Sequence, residues 1–408
     1  MTAEIAVLNR SGVALAADSA VTVGSNKIFN SADKLFALNK HSIGIMIYGN
    51  ANLMNVPWET VISMFRKKLP DVPFSRFTDY CDSFIGYLTE EQRFTSKEAE
   101  KGQIGFIFSQ WLEKFLKKLN QFIHNNYQHE PDEDEIRKIM NASLVDTWNQ
   151  LNEIHYSGEF DETFYPWFEE EYGEFIQEIF EENVNFELNE DIINTLVIIA
   201  ASLVCRNTLD DNESGVVIAG FGEDDIYPTL SGYRIGGIFN GKLKQLLLEN
   251  SKIDDRNSAQ IVPFAQQEMV HSFLSGIDPK IEDEIQRFLQ ATVSVYPDFI
   301  ETLDINVDIE SKAKIEDKGR ELSNEFENEL KKFKRKQFIN PVIQTVASFP
   351  KEELSSMAEA LVNLTSIKRK VTNQAETVGG PIDVAVISKS DGFIWVKRKQ
   401  YYQTELNS

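Results

Sequence analysis

AEIAVLN (Ala3–Asn9) and GVALAADSAVT (Gly12–Thr22) open the chain as two apolar runs of strand length, separated by Arg10 and Ser11. KLFAL (Lys34–Leu38) and GIMIYGNA (Gly44–Ala51) follow the same plan, with Asn, Gly and Ser turns between them. The reading is a β-rich block of short strands from Thr2 to about Gly49. Three chemically distinctive residues fall inside it at equal intervals: Thr2, Asp18 and Lys34.

Helical spacing takes over in ANLMNVPWETVISMFRKKL (Ala51–Leu69), where Pro57 is tolerable near a helix start. From Asp71 to Phe186 the chain is long, aromatic and helical in pattern, and IINTLVIIAASLVC (Ile192–Cys205) reads as a buried helix. A second set of strands runs from Gly215 to about Phe264. A second helical tract covers roughly Gln266 to Phe349, with Glu and Lys at i,i+4 spacing on an exposed face. Pro350 opens a last helix, and a strand hairpin turns through Ser388–Asp391. This order of elements predicts a layered α+β domain rather than a parallel βαβ fold.

The 408 residues are 42% hydrophobic, enough for a proper core. The net charge of −23 is concentrated where no Lys or Arg occurs between Lys138 and Arg206. Such a surface repels phosphate backbones and excludes nucleic acid as an expected partner. Cys81 and Cys205 stand far apart without metal or redox spacing, which fits a reducing compartment. No apolar run reaches the ~20 residues a membrane span needs, and no signal-peptide pattern opens the chain. The expectation is a cytoplasmic protein with no membrane partner.

Alone, a Thr at position two carries no information. With Met1 removed, however, its α-amine would titrate near ~7.7–8.0 and could take the proton of the neighbouring hydroxyl. Lys34 lies in an apolar segment, where a lysine needs a partner if it is buried; a solvent-facing strand edge is the other reading. Asp18 ends the run VALAA and is either the counter-ion of Lys34 or a turn-forming Asp. Gly49, after GIMIY, offers a backbone N–H to an oxyanion or simply turns the chain from strand to helix.

These residues and segments resemble proteasome β-subunits and the related bacterial proteasome-type N-terminal nucleophile (Ntn) hydrolase family. A second match is TVGGPIDVAVISKSDGFIWVKRK (Thr377–Lys399), and a weaker one is GVVIAGFGEDDIYPTLSGYRIGG (Gly215–Gly237). The resemblance implies Thr2 as nucleophile, Asp18 as acidic partner, Lys34 as catalytic lysine and Gly49 as oxyanion donor. It places Thr22 and Ala51 along a substrate chain, and Val21, Ala32 and Ile47 near an apolar side-chain pocket. It also implies a four-layer αββα sandwich over residues 1–408, interrupted by an acidic helical insertion at 71–186 and a second helical insertion at 279–349. Departures from the pattern are Ala20 in place of an Arg, Phe264–Gln267 in place of a Gly-Ser-Gly turn, and Glu376 and Val378 where an Asp-x-x-Ser is usual. Gln266, Glu376 and Thr377 are the available residues for orienting the amine.

The expected function is amide hydrolysis, of a peptide or another amide, through an acyl-enzyme on Thr2, with no metal or organic cofactor and as a homo-oligomer. Two alternatives stand beside it: an inactive scaffold subunit that binds partners, and a small-molecule amidase with a helical lid. Asp304, Asn306, Asp308 and Glu310 alternate like a calcium loop, but Ile309 stands where such a loop needs Gly; a half-exposed strand is the reading there. No HExxH, GxSxG or Walker A pattern occurs.

Overall fold

The computed structural model describes residues 3–23, 27–38, 40–127, 131–184, 189–208, 212–301, 308–372 and 379–400. Its first strands are β1 (Ala3–Asn9), β2 (Gly12–Asp18), β3 (Val21–Val23), β4 (Lys27–Phe29), β5 (Leu35–Ala37) and β6 (Ile43–Gly49). A small hairpin, β7 (Asn52–Leu53) and β8 (Val56–Pro57), precedes helices α1 (Trp58–Lys68) and α2 (Phe77–Glu90). Helix therefore begins at Trp58, later than the spacing alone suggests. Met54 and Asn55 take left-handed backbone angles, φ 47° and 69°, and the tight turn they form cannot sit inside a helix.

Four helices follow: α3 (Lys97–Asn126), α4 (Glu133–Asn152), α5 (Phe164–Glu181) and α6 (Glu190–Cys205). Then come β9 (Ser214–Gly220), β10 (Thr229–Phe239), β11 (Lys242–Lys252) and β12 (Ala259–Ala265). Helices α7 (Glu268–Ser275), α8 (Pro279–Glu301), α9 (Ile309–Lys334), α10 (Asn340–Ala347) and α11 (Lys351–Val371) lead to β13 (Ile382–Ser388) and β14 (Gly392–Lys397). The fold is α+β, as the order of elements predicts. The strand expected near Asp308–Glu310 is corrected: Asp308 accepts a hydrogen bond from Ser311 N and caps α9, and that local bond outweighs the alternation. Asp304 and Asn306 lie outside the described residues.

Two antiparallel five-stranded sheets carry the architecture, in orders β12-β1-β2-β13-β14 and β11-β10-β9-β6-β5. Period-two alternation sends the side chains of β1 and β2 to two faces that are both buried, which explains why nearly all of them are apolar. Ala3, Ile5 and Val7 face Leu354, Ala358, Leu361 and Val362 of α11. Ala6 and Leu8 pack instead against Met46, Val217 and Ala219 of the other sheet. The far side of that second sheet is covered by Trp58 and Phe65 of α1 and Tyr80 and Phe84 of α2. Helices α3 to α6 build a core of their own around Phe108, Phe164, Phe168, Ile176, Leu196 and Ile199. Among the described residues no helix is long and apolar enough to cross a membrane.

Cys81 and Cys205 are both buried and free. Burial pushes each thiol up to about 11, so little thiolate exists at pH 8 and access is closed. Iodoacetamide at pH 8 is expected to leave both unmodified in the folded protein and to alkylate both in denaturant, as read by intact mass. Modification without denaturant would contradict this packing.

Candidate functional site

The open end of the inter-sheet core gathers three charges. Glu4 shares a strand face with Ala6 and Leu8, so alternation turns its carboxylate toward the space between the sheets. Asp18 closes β2, and Lys34 stands directly before β5, where its carbonyl accepts a hydrogen bond from Ile47 N at 2.8 Å. The Lys34 ammonium lies 2.5 Å from Asp18 Oδ1 and 3.2 Å from Glu4 Oε1. All three residues are buried, with Glu4 and Asp18 exposed by 0% and 1%. Charges taken out of water survive only when paired and hydrogen-bonded.

Asp18 is held from several directions. Its Oδ1 also accepts from Ala3 N at 3.2 Å, and its Oδ2 accepts from Gly379 N at 2.9 Å. Ser19 Oγ donates to Pro381 O at 2.7 Å, joining the same two chain segments. The carboxylate thus ties the beginning of β1 to the Gly-Gly turn before β13. Of the three N–H donors of Lys34, two have partners among the described residues.

A second buried lysine shows the contrast. Lys244 Nζ meets Glu213 Oε1 at 3.0 Å, Leu203 O at 2.9 Å and Thr208 Oγ1 at 3.1 Å. Two of these contacts are hydrogen bonds to groups at or just past the end of α6, which is a structural role.

Tyr48 borders the cluster from β6. Burial pushes its hydroxyl up to about 12, and the Glu4 charge adds to the effect. Its ring packs against Phe264, centroids 5.6 Å apart, and lies where a Cβ on Gly215 would stand.

The remaining expected residues are spread around this centre. Thr2, Glu376 and Thr377 lie outside the described residues. Gly49 ends β6 two residues past Ile47, roughly 7 Å further along the strand. Its φ is +77°, and a Cβ there would sit 2.5 Å from Glu213 O. Both facts demand glycine for the backbone alone. Gly49→Ala is expected to cost about 1–2 kcal/mol from the left-handed angle, with further loss from the contact, measured as a lower urea midpoint.

Val21 is half-buried in β3, and Thr22 pairs with Ile28. Ala32 N donates to Ser19 O at 3.1 Å. Ile47 is committed to the core beneath α1, whereas Ala51 is exposed and its carbonyl accepts from Trp58 N. Gln266 is buried, and its Oε1 accepts a hydrogen bond from Arg369 Nε of α11. It follows Ala265, which pairs with Ala3 and takes φ +56°. Ala265 thus makes the turn without a glycine and brings Gln266 and Arg369 to the same end of β1.

A polar cavity of about 280 Å³ starts at Asn50, the residue after Gly49. Asn52, Asn55, Asn212 and Gln103 line it with carboxamides, and α3 supplies one wall through Gln103 and Phe106.

Sequence reasoning missed Glu4 and Arg369. A signal for Glu4 was present: it is the one charge in AEIAVLN, a strand buried on both faces. Arg369 had none, because its role depends on where α11 lies against β12.

No family model matches the chain, and no curated protein matches it. Solved structures to which it is similar include Anbu (ancestral beta-subunit) from Yersinia bercovieri, at a TM-score of 0.30 and 9% identity, covering 98% of this chain and 89% of that one. Anbu from Hyphomicrobium sp. strain MC1 gives a TM-score of 0.31 and 8% identity, covering 97% and 86%. Superpositions this poor carry no argument about fold or activity. The expected membership of the proteasome β-subunit and Ntn-hydrolase family is therefore corrected. Of the stretches that suggested it, Ile43–Gly49 is an apolar strand ending on glycine and Ile382–Lys397 is a strand hairpin. Antiparallel sheets of many kinds use that pattern.

Proposed function

We propose that the chain is an amide hydrolase whose nucleophile is Thr2, freed by removal of Met1. One observation carries the reading. Ala3, the residue covalently bound to Thr2, donates its N–H to the same Asp18 oxygen that holds the buried Lys34. Ala3 and Lys34 thus share one carboxylate, and Thr2 is the next residue along the chain from Ala3. That lysine retains one N–H donor without a partner among the described residues.

In this reading the α-amine takes the Oγ proton as Thr2 attacks the amide carbon. The Gly49 N–H meets the oxyanion. Collapse breaks the C–N bond, and the leaving amine takes the proton back. Water then attacks the Thr2 ester, again losing a proton to the α-amine, and releases the acid. Lys34 favours the unprotonated amine and the developing alkoxide by its charge. Helices α3 to α6 act on access rather than chemistry, a role supported by the α3 wall of the cavity beside Asn50.

The test is intact mass followed by treatment with a β-lactone. The expected result is a chain lacking Met1 that gains a single acyl group, mapped to residue 2 by peptide fragmentation. Retained Met1, or an adduct elsewhere, would overturn the reading.

A further inference from the structure

The nucleophile reading above uses Asp18 as the counter-ion of Lys34 and leaves Glu4 without a task. Glu4 is fully buried, its Oε1 stands 3.2 Å from the Lys34 ammonium, and it is one residue from Ala3. A carboxylate on the inter-sheet face of a core strand loses its hydration, and an aliphatic residue would fill this position more stably. We propose that Glu4 is a positioning residue, a second counter-ion that holds Lys34 between two carboxylates and sets the pH at which the N-terminal amine becomes a base. The proposal rests on Thr2 as nucleophile.

The direction follows from charge alone. Among the described residues, the groups facing this end of β1 are Asp18 from β2, Lys34 before β5, Tyr48 from β6 and Arg369 from α11 through Gln266, with Asp383 of β13, paired with Lys399, two strands across in register with Glu4. Arg234 of β10, itself paired with Glu213 at 2.9 Å, lies further out beside Tyr48. Lys34 and Arg369 favour the neutral amine; Asp18 and Glu4 favour the ammonium. Glu4 is one residue from Ala3, and the Ala3 N–H itself donates to Asp18. The effect of Glu4 on the amine is therefore electrostatic and adjustable, whereas that of Asp18 is bound up with chain geometry. Removing the Glu4 charge disfavours the ammonium, so the amine loses its proton at lower pH and acylation begins at lower pH.

Glu4→Gln keeps shape and removes charge. The rate of β-lactone acylation at Thr2, followed by mass from pH 5 to pH 9, is expected to keep its plateau within a few-fold. Its midpoint should move down by about one pH unit, the lower end of the range for a neighbouring opposite charge. A side chain with only a packing role would lower the plateau and leave the midpoint in place; that result overturns the proposal while the nucleophile reading stands.

A stability cycle gives an answer independent of acylation. Lys34→Met leaves Asp18 and Glu4 buried together without their cation. Glu4→Gln added to Lys34→Met should raise its urea midpoint, whereas Glu4→Gln alone should lower the midpoint of the parent protein. Should the parent protein fail to acylate, the nucleophile reading and the amine-tuning role fall together, and this sign reversal alone supports the charge pairing. Absence of the reversal overturns the proposal whatever the labelling shows.

Discussion

Lys34→Met is expected to lower the stability of the protein by about 3–5 kcal/mol, the usual cost of removing one partner from a buried ion pair, and to abolish acylation at Thr2. Methionine matches the lysine stem in length, so packing along β5 is preserved and charge is the variable. The loss is large because Asp18 and Glu4 are 1% and 0% exposed and keep no water of their own. Asp18 would keep the backbone N–H groups of Ala3 and Gly379, which do not neutralise its charge. Lys34→Arg should restore part of the stability and little of the rate. A planar guanidinium cannot place one compact charge between two carboxylates and still aim a donor at a third group. Urea midpoints with acylation rates check both variants. A Lys34→Met protein of unchanged stability would mean that the three charges are not coupled in solution.

Thr2→Ala is expected to remove β-lactone acylation completely while leaving the stability within about 0.5 kcal/mol, as read by urea denaturation. Thr2→Ser should retain labelling, since the hydroxyl and the amine survive. An N-terminal tag that stays attached should silence the protein as fully as Thr2→Ala, because the amine becomes an amide without a basic lone pair. A C-terminal tag should be tolerated. Mass spectrometry of each variant after β-lactone treatment reads the outcome. Equal labelling of the intact N-terminally tagged chain would remove the amine from the mechanism.

Much of the secondary structure was legible because it is locally encoded. The runs Ala3–Asn9 and Gly12–Asp18 read as short apolar strands, and they are strands, buried on both faces. Ile192–Cys205 reads as a buried helix, and it forms the largely buried part of α6. Pro350 and the i,i+4 apolar positions after it fixed α11. Where local signals compete, the period misled. Asp308 looked like part of an alternating strand, and its side chain instead caps α9. Met54 and Asn55 looked helical, and a left-handed turn breaks the segment.

Of the candidate site, the sequence by itself determined which residue types were on offer: a Thr behind Met1, an Asp ending one strand, and a Lys opening another. That much is composition and local pattern. Only the tertiary structure decided that Asp18 and Lys34 meet, that Glu4 joins them, and that Gly379 closes the circle from the far end of the chain. Likewise, only the pairing of Ala265 with Ala3 brings Gln266 and Arg369 to that end of β1. The physical reason is range. A strand period or a helix cap is settled within a few residues, while the cost of burying a charge is settled by whatever the fold places against it.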